Sequence, residues 1–175
     1  EPYADEDTSP DTIKALFEEG MAEAGVAGTA SDVTLTVISY GATTEKTSQL
    51  EWFKQQLEGN LGVKVQIDTY PDSSTFVAAR NAQQYDFYLQ GWNGDYNDPM
   101  TFFELWVTGN GYAKFMGGYS NPEYDEMIEK AGTSQDDAER MELFGKAEKL
   151  LLDEGGLVPL CPGLRLRPEH AHVWF

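Results

Sequence analysis

The fold is decided by residues 33–67, which run VTLTVISYGATTEKTSQLEWFKQQLEGNLGVKVQI. The first segment, 33–38, is rich in β-branched residues and has apolar side chains on both faces, which predicts a strand buried on both sides. A helix is predicted to begin near 43–44 and to end at 59–60, and the alternation over 63–67 predicts a second strand. The stretch is therefore typical of a βαβ unit.

A second βαβ crossover is predicted directly after the first. Residues 71–74 lead into a short helix, and residues 86–91 predict a third strand. Strands that alternate with helices favour right-handed crossovers and a largely parallel sheet. The predicted fold class is α/β, a mostly parallel sheet flanked by helices.

Further helices are predicted on either side of these strands. Ser9-Pro10-Asp11 supplies an N-cap, a proline in the first turn and an acidic residue, and Gly25 ends that helix. Later elements are predicted as a short helix around 102–106, a helix from Asn121, a long helix over 135–154 and a short strand over 157–160. Side chains predicted to pack in the core include Leu16, Phe17, Phe53, Phe76, Met141, Phe144 and Leu151.

Composition and charge limit the class of protein. The 175 residues are 41% hydrophobic and 24% charged, which suits one globular domain with a core. The formal net charge is -18, so a phosphate backbone is repelled, and nucleic acid is not an expected partner.

Three further features concern disulfides, membrane spans and the start of the sequence. The single cysteine, Cys161, cannot form an internal disulfide, and no run of about 18 apolar residues predicts a membrane span. The chain starts with Glu1-Pro2-Tyr3 and lacks an apolar signal core, so we expect a mature product or a fragment of a larger protein.

The most unusual segment is residues 91–99, Gly-Trp-Asn-Gly-Asp-Tyr-Asn-Asp-Pro, which follows the predicted third strand. In open α/β sheets, ligands bind at the carboxyl ends of the strands. Trp92 and Tyr96 offer flat apolar contact with polar groups, and Asp95 offers a charge that can pair with a cation. The same composition also suits a simple turn, and composition alone does not separate these two interpretations.

The same segment partly matches a calcium-binding loop. Oxygen-bearing residues stand at the first, third, fifth and twelfth positions of an EF-hand, namely Asn93, Asp95, Asn97 and Glu104. The sixth position needs glycine for a sharp turn but holds Asp98, and Pro99 follows it. The departures argue against calcium, and no metal or other cofactor is expected.

Other chemistry has weak support in the sequence. His170 and His172 have metal-ligand spacing but no cysteine nearby, which favours a solvated tail. The nucleophile elbow of a Ser-His-Asp hydrolase and the common glycine-rich phosphate loops are missing from the sequence. A hydrolase with paired acids is not indicated by any particular pair among the 30 acidic residues.

Four blocks of sequence together resemble a known family. They are Gly91–Phe103, Gly118–Asp125, Glu139–Leu151 and Leu157–Leu160, and they keep the family's order. On these blocks the chain resembles the peptide-binding, family 5 class of extracellular solute-binding proteins that serve bacterial ABC importers. With residues 9–25, the likeness covers nearly the whole chain.

The resemblance implies a fold and a site. Family members have two lobes around a cleft, so the chain is expected to be a single carboxyl-side lobe of a periplasmic-binding-protein-like fold. The expected boundaries are a linker at 1–8, the lobe at 9–167, and a tail at 168–175 that returns to a missing amino-terminal lobe. In the family, the aspartate of the W-x-x-D-Y segment meets the ligand's α-ammonium, which implies that role for Asp95. Secondary contacts are implied for Gly91, Trp92 and Asn93.

The resemblance also implies partners and location. The expected partners are a peptide ligand, the missing lobe and an ABC permease, with membrane attachment only through a lipid anchor or that permease. The expected location is extracellular, at the bacterial surface or in the periplasm. A non-peptide solute such as a nickel complex, haem or an oligosaccharide, or a peptide-pheromone receptor, remains an alternative, and a stand-alone hydrolase is the enzyme alternative.

Overall fold

The computed structural model describes residues 7–89, 91–112 and 116–159, together with the backbone of 165–167 and 170–174. The chain forms two compact units, residues 1–88 and residues 89–175, and each has its own three-stranded sheet. The boundaries predicted for the linker, the lobe and the tail stay a prediction.

A parallel sheet forms the centre of the first unit. Its strands are β1 (Thr34–Tyr40), β2 (Lys64–Tyr70) and β3 (Phe87–Tyr88), in the order β2-β1-β3. β1 is parallel to both neighbours and pairs with β2 from Thr34–Lys64 to Tyr40–Tyr70. Val37 and Ile38, which point to opposite faces, are both 0% exposed. The predicted fold class and the burial of β1 on both sides are confirmed.

Three helices accompany this sheet: α1 (Pro10–Glu23), α2 (Thr44–Leu61) and α3 (Ser73–Asn81). Each begins at a capping side chain, because Ser9, Thr43 and Asp72 accept hydrogen bonds from backbone N–H groups in the first turn. α2 continues through the predicted stop at 59–60 and ends where Gly62 takes a left-handed conformation, with φ of 76°. Gly62 ends the helix because glycine adopts this conformation without steric cost.

The predicted third strand over 86–91 is wrong as a single element. β3 ends at Tyr88, and Gly91–Asn93 form a separate strand, β4, in the sheet of the second unit. The strand that pairs with β4 lies far along the chain, at His170–Trp174, so local alternation could not separate β3 from β4.

Two predicted core residues are exposed. Leu16 is 68% exposed and Met141 is 48% exposed, whereas Met21 and Phe144 on the same helices are buried. Helical spacing identifies an apolar face but does not fix which of its residues is covered by a neighbour. The predicted strand over 157–160 is absent at 157–159, and residue 160 lies outside the described residues.

The second unit combines three helices with an antiparallel sheet. The helices are α4 (Met100–Phe103), α5 (Pro122–Thr133) and α6 (Asp137–Asp153), and a 3₁₀ turn, Glu104–Trp106, follows α4. The strands are β4 (Gly91–Asn93), β5 (Arg165–Arg167) and β6 (His170–Trp174), in the order β4-β6-β5. The buried core of this unit contains Leu105, Trp106, Met116, Tyr124, Ile128, Ala131, Phe144, Ala147 and Leu151.

The helices of this unit are joined by specific polar contacts. Tyr124 is 0% exposed, and its hydroxyl donates to the carbonyl of Phe103 over 2.8 Å. Asn121 caps α5 by accepting from the N–H groups of Glu123 and Tyr124, which confirms the predicted helix start. Glu154 then accepts hydrogen bonds from Asn121 and from the hydroxyl of Tyr119. Over the ranges that the structure describes, no helix is long and apolar enough to cross a bilayer.

Candidate ligand-binding site

The five residues predicted for the site lie in the second unit. Gly91, Trp92 and Asn93 form β4 and pair antiparallel with β6, so the first three residues of the segment 91–99 are a strand rather than part of a turn. Asp95 and Tyr96 follow in the connection between β4 and α4. The segment 91–99 does follow a strand of the parallel sheet, β3, but its own first three residues form β4 in the antiparallel sheet.

Trp92 packs against the core of the second unit. Its ring meets the ring of Tyr112 edge to face, with centroids 5.0 Å apart. The indole Nε1 is buried and has no hydrogen-bond acceptor among the described residues. The indole is therefore held in place by apolar contacts, and its N–H is a donor without a described partner.

Asp95 presents an exposed side chain on a backbone that is tightly held. The N–H of Asp95 donates to the hydroxyl of Thr101 over 3.0 Å, and Thr101 is 1% exposed. Gly94 packs closely here, because a Cβ at this position would lie 3.3 Å from Thr101 Cγ2. Among described residues, the Asp95 carboxylate has no hydrogen bond or ion pair, so it is available to a cation from outside.

Tyr96 contacts the 3₁₀ turn that follows α4. Its hydroxyl donates to Glu104 Oε1 over 2.9 Å, although the residue is 47% exposed. Partial burial, together with the hydrogen bond to the Glu104 carboxylate, raises the pKa of Tyr96 to about 12. Tyr96 is therefore a neutral hydrogen-bonding group near neutral pH.

Asp98 forms a contact that the sequence did not predict. Arg140 Nη2 on α6 donates to both carboxylate oxygens of Asp98, over 3.0 and 2.8 Å. The Asp98 Oδ1 atom also accepts from the N–H of Met100 over 2.9 Å. The Arg140 guanidinium holds the pKa of Asp98 below its usual range. Asp98 and Arg140 lie in two different blocks of the sequence that resemble the family. Nothing in the sequence indicated that the two side chains pair with each other.

No metal centre is found where the structure can be described. In that part of the chain, no group of three or more His, Cys, Asp or Glu residues is arranged to hold an ion. Glu104, the twelfth residue of the calcium-loop pattern, accepts from Tyr96, and Asp98, which stands where that pattern needs glycine, pairs with Arg140. The side chains of His170, His172 and Cys161 lie outside the described residues.

The arrangement suits the binding of a cationic group. An exposed carboxylate on a fixed backbone loses little conformational freedom when it accepts charge-assisted hydrogen bonds. Asp95 fits this description. Trp92, three residues before Asp95 in the sequence, is a partly buried aromatic residue that packs against the core of the second unit.

Comparison with protein families identifies one match. The model described as bacterial extracellular solute-binding proteins, family 5 middle, matches residues 1–114. The chain is 30% identical over 154 residues to the oligopeptide-binding protein OppA of Bacillus subtilis, with 88% of this chain and 28% of the relative covered. It is 31% identical over 147 residues to the dipeptide-binding protein DppE of the same organism, with 84% and 26% covered.

A solved structure is similar to this chain in fold and in sequence. The substrate-binding domain of an oligopeptide ABC transporter from Bacillus anthracis superposes with a TM-score of 0.71 at 33% identity. The match covers 85% of this chain and 28% of that one. The chain thus spans less than a third of the length of these relatives.

Proposed function

Because the chain belongs to family 5 of the bacterial extracellular solute-binding proteins, we propose that it is the carboxyl-side ligand-binding lobe of a peptide receptor. The complete protein captures peptides outside the cytoplasm and delivers them to an ABC permease. The names of its relatives, which are oligopeptide- and dipeptide-binding proteins, support this assignment. The lobe acts by binding and not by catalysis, since the family is one of solute-binding proteins.

The observation that carries this proposal is the exposed carboxylate of Asp95 on a backbone fixed by Thr101. A peptide has one free α-ammonium group, and a single carboxylate that pairs with it sets the register of the bound chain. The remaining affinity can then come from the peptide main chain, which is the same for every sequence. Asp95 is therefore the ammonium-binding residue of the site.

The neighbouring residues have supporting roles in this proposal. Gly91 and Asn93 present the backbone of β4 to the ligand, and Trp92 supplies apolar surface. Tyr96 borders the carboxylate with a phenol that stays neutral. A second lobe of the same protein supplies the other side of the cleft, and closure of the two lobes around the peptide excludes water.

Calorimetric titration of the full-length protein tests the proposal. We expect Asp95→Asn to weaken the binding of peptides with a free amino terminus by about tenfold to a hundredfold, because a hydrogen-bonded charge pair is lost. Glu148→Gln removes an exposed negative charge from α6 and serves as the matched control. Equal affinities for wild type, Asp95→Asn and Glu148→Gln would contradict the role of Asp95.

Titration with other solutes and a turnover assay separate the other functions. Binding of a nickel complex, haem or an oligosaccharide in place of peptides would keep the family and replace the ligand class. Turnover of a peptide or glycoside panel by the purified protein would contradict a pure binding function. We expect neither result.

A further inference from the structure

We propose that Asp98 and Arg140 are positioning residues that hold the Asp95 carboxylate in place for its ligand. The inference rests on the proposed function of Asp95 and extends it to a pair of residues that do not touch the ligand. The structural basis is a route of contacts that starts on α6 and ends at the backbone of Asp95.

Arg140 is itself fixed by several contacts, which include a 4.0 Å ion pair with Asp137. Its Nη2 atom binds both oxygens of Asp98, and its Nε atom donates to the carbonyl of Ala131 on α5 over 2.9 Å. The guanidinium also lies 5.6 Å from the ring centre of Phe144, which is buried. The side chain of Arg140 is only 20% exposed, so it is a rigid point of attachment rather than a mobile surface cation.

From Asp98 the route continues along the backbone of α4. The carboxylate of Asp98 accepts from the N–H of Met100. The backbone carbonyl of Asp98 accepts from the N–H of Thr101 over 3.3 Å. The hydroxyl of Thr101 then accepts from the N–H of Asp95. A change in the position of Asp98 therefore displaces the acceptor that fixes the Asp95 backbone.

Partial burial distinguishes this pair from a surface ion pair. The side chains of Arg140 and Asp98 are 20% and 28% exposed and come from positions 42 residues apart. Lys146 and Glu142 pair four residues apart on α6, and their side chains are 61% and 68% exposed. An exposed pair on one helix contributes little and positions nothing outside that helix, which makes Lys146 a suitable control.

The test measures how strongly the full-length protein prefers a peptide with a free amino terminus over the same peptide acetylated there. The ratio of the two dissociation constants reports how far binding depends on the free ammonium group, since the two peptides differ only at the amino terminus. Asp98→Asn removes the charge, and Arg140→Lys keeps the charge but loses the donor to Ala131. Lys146→Gln is the control.

We expect Asp98→Asn and Arg140→Lys to lower this ratio by about tenfold in protein that is still folded, while the affinity for acetylated peptide stays within about twofold. Lys146→Gln leaves the ratio unchanged. The double variant Asp98→Asn with Arg140→Gln keeps a neutral hydrogen-bonding pair, which protects the fold if a single variant is unstable. Arg140→Gln alone is its second matched single variant, and we expect the double variant to lower the ratio no further than Asp98→Asn or Arg140→Gln does alone.

Two results overturn the inference while leaving the proposed function standing. A wild-type ratio in folded Asp98→Asn and Arg140→Lys, even with lower melting temperatures, would show that the pair only stabilises the fold. Losses of the single variants Asp98→Asn and Arg140→Gln that add in their double variant would show that the two residues do not act as a unit. A wild-type protein that binds both peptides equally would contradict the proposed function itself, and the inference would fall with it.

Discussion

The backbone N–H of Asp95 donates to the hydroxyl of Thr101, a residue that is 1% exposed. This hydrogen bond joins an exposed, charged position to the buried start of α4. The carboxylate of Asp95 is thereby presented on a backbone that the core of the second unit holds in place.

Replacement of Thr101 tests the hydrogen bond directly. Thr101→Val has a similar shape but lacks the acceptor, so we expect a loss of about 1 kcal/mol in the free energy of unfolding. The amide proton of Asp95 should exchange faster with solvent, which hydrogen exchange followed by NMR measures. Thr101→Ser keeps the hydroxyl and should retain the slow exchange. Equal exchange in wild type and Thr101→Val would contradict the role of this bond.

Removal of the Tyr124 hydroxyl tests the contact between α5 and α4. Tyr124→Phe leaves the carbonyl of Phe103 without its donor, and the expected cost is about 1 kcal/mol of stability, with little change in packing. Thermal unfolding measures the change. Tyr40→Phe removes a hydroxyl from a residue that is 45% exposed and should have almost no effect.

The Asp98 carboxylate gives a stability contribution that depends on pH. Its pKa in the folded protein lies below the ordinary value of 3.8, chiefly because of the hydrogen bond from Arg140. Above that ordinary value both folded and unfolded chains are ionised, and the contribution is complete. As the pH falls below it, the unfolded chain binds the proton first, so the contribution decreases until the folded pKa is passed.

Urea unfolding of wild type and Asp98→Asn at several pH values tests this sign. The difference in the free energy of unfolding should be largest above about pH 5 and should shrink toward about pH 3. Other carboxylates also have lowered pKa values, such as Asp72 and Glu142. Their contributions to the pH dependence of stability are the same in both proteins and cancel in the difference. A difference that grows as the pH falls would contradict the account.

The ionisation of Tyr96 should respond to Glu104. The pKa of Tyr96 is raised to about 12, from burial first and from the Glu104 carboxylate second. Glu104→Gln removes the negative charge, so the pKa should fall toward the ordinary value of 10.0 without reaching it. NMR titration of ring-labelled tyrosine measures the shift, and Glu142→Gln should leave it unchanged.

Much of the fold could be predicted because its signals are local. The alternation over 33–38 and 63–67 identified β1 and β2, and the capping residues Ser9 and Asn121 located the starts of α1 and α5. Each of these signals depends on neighbours within a few positions, which is the range that sequence patterns report well.

The errors arose where the answer depended on distant contacts. The end of β3 and the start of β4 depend on a partner at 170–174, and the exposure of Leu16 depends on which side of α1 has a neighbour. The pairing of Asp98 with Arg140 spans 42 positions and follows from the packing of α6. Periodicity carries no information of that kind.

The chemical character of the site residues is visible in the sequence, whereas the shape of the site is not. Trp92, Asp95 and Tyr96 form an aromatic and acidic group in a turn-like segment. The sequence did not show that Thr101 fixes Asp95 or that Glu104 engages Tyr96, because both contacts depend on how the chain folds back on α4. Their roles toward a peptide stay proposals.

The most direct measurement of the central claim is calorimetric titration of the full-length wild-type protein with one peptide mixture in two forms, free and acetylated at the amino terminus. We predict that the free peptides bind and that acetylation abolishes or strongly weakens their binding, because it removes the ammonium group that pairs with Asp95. Equal binding of the free and acetylated peptides would contradict the claim that Asp95 holds the amino terminus of the ligand.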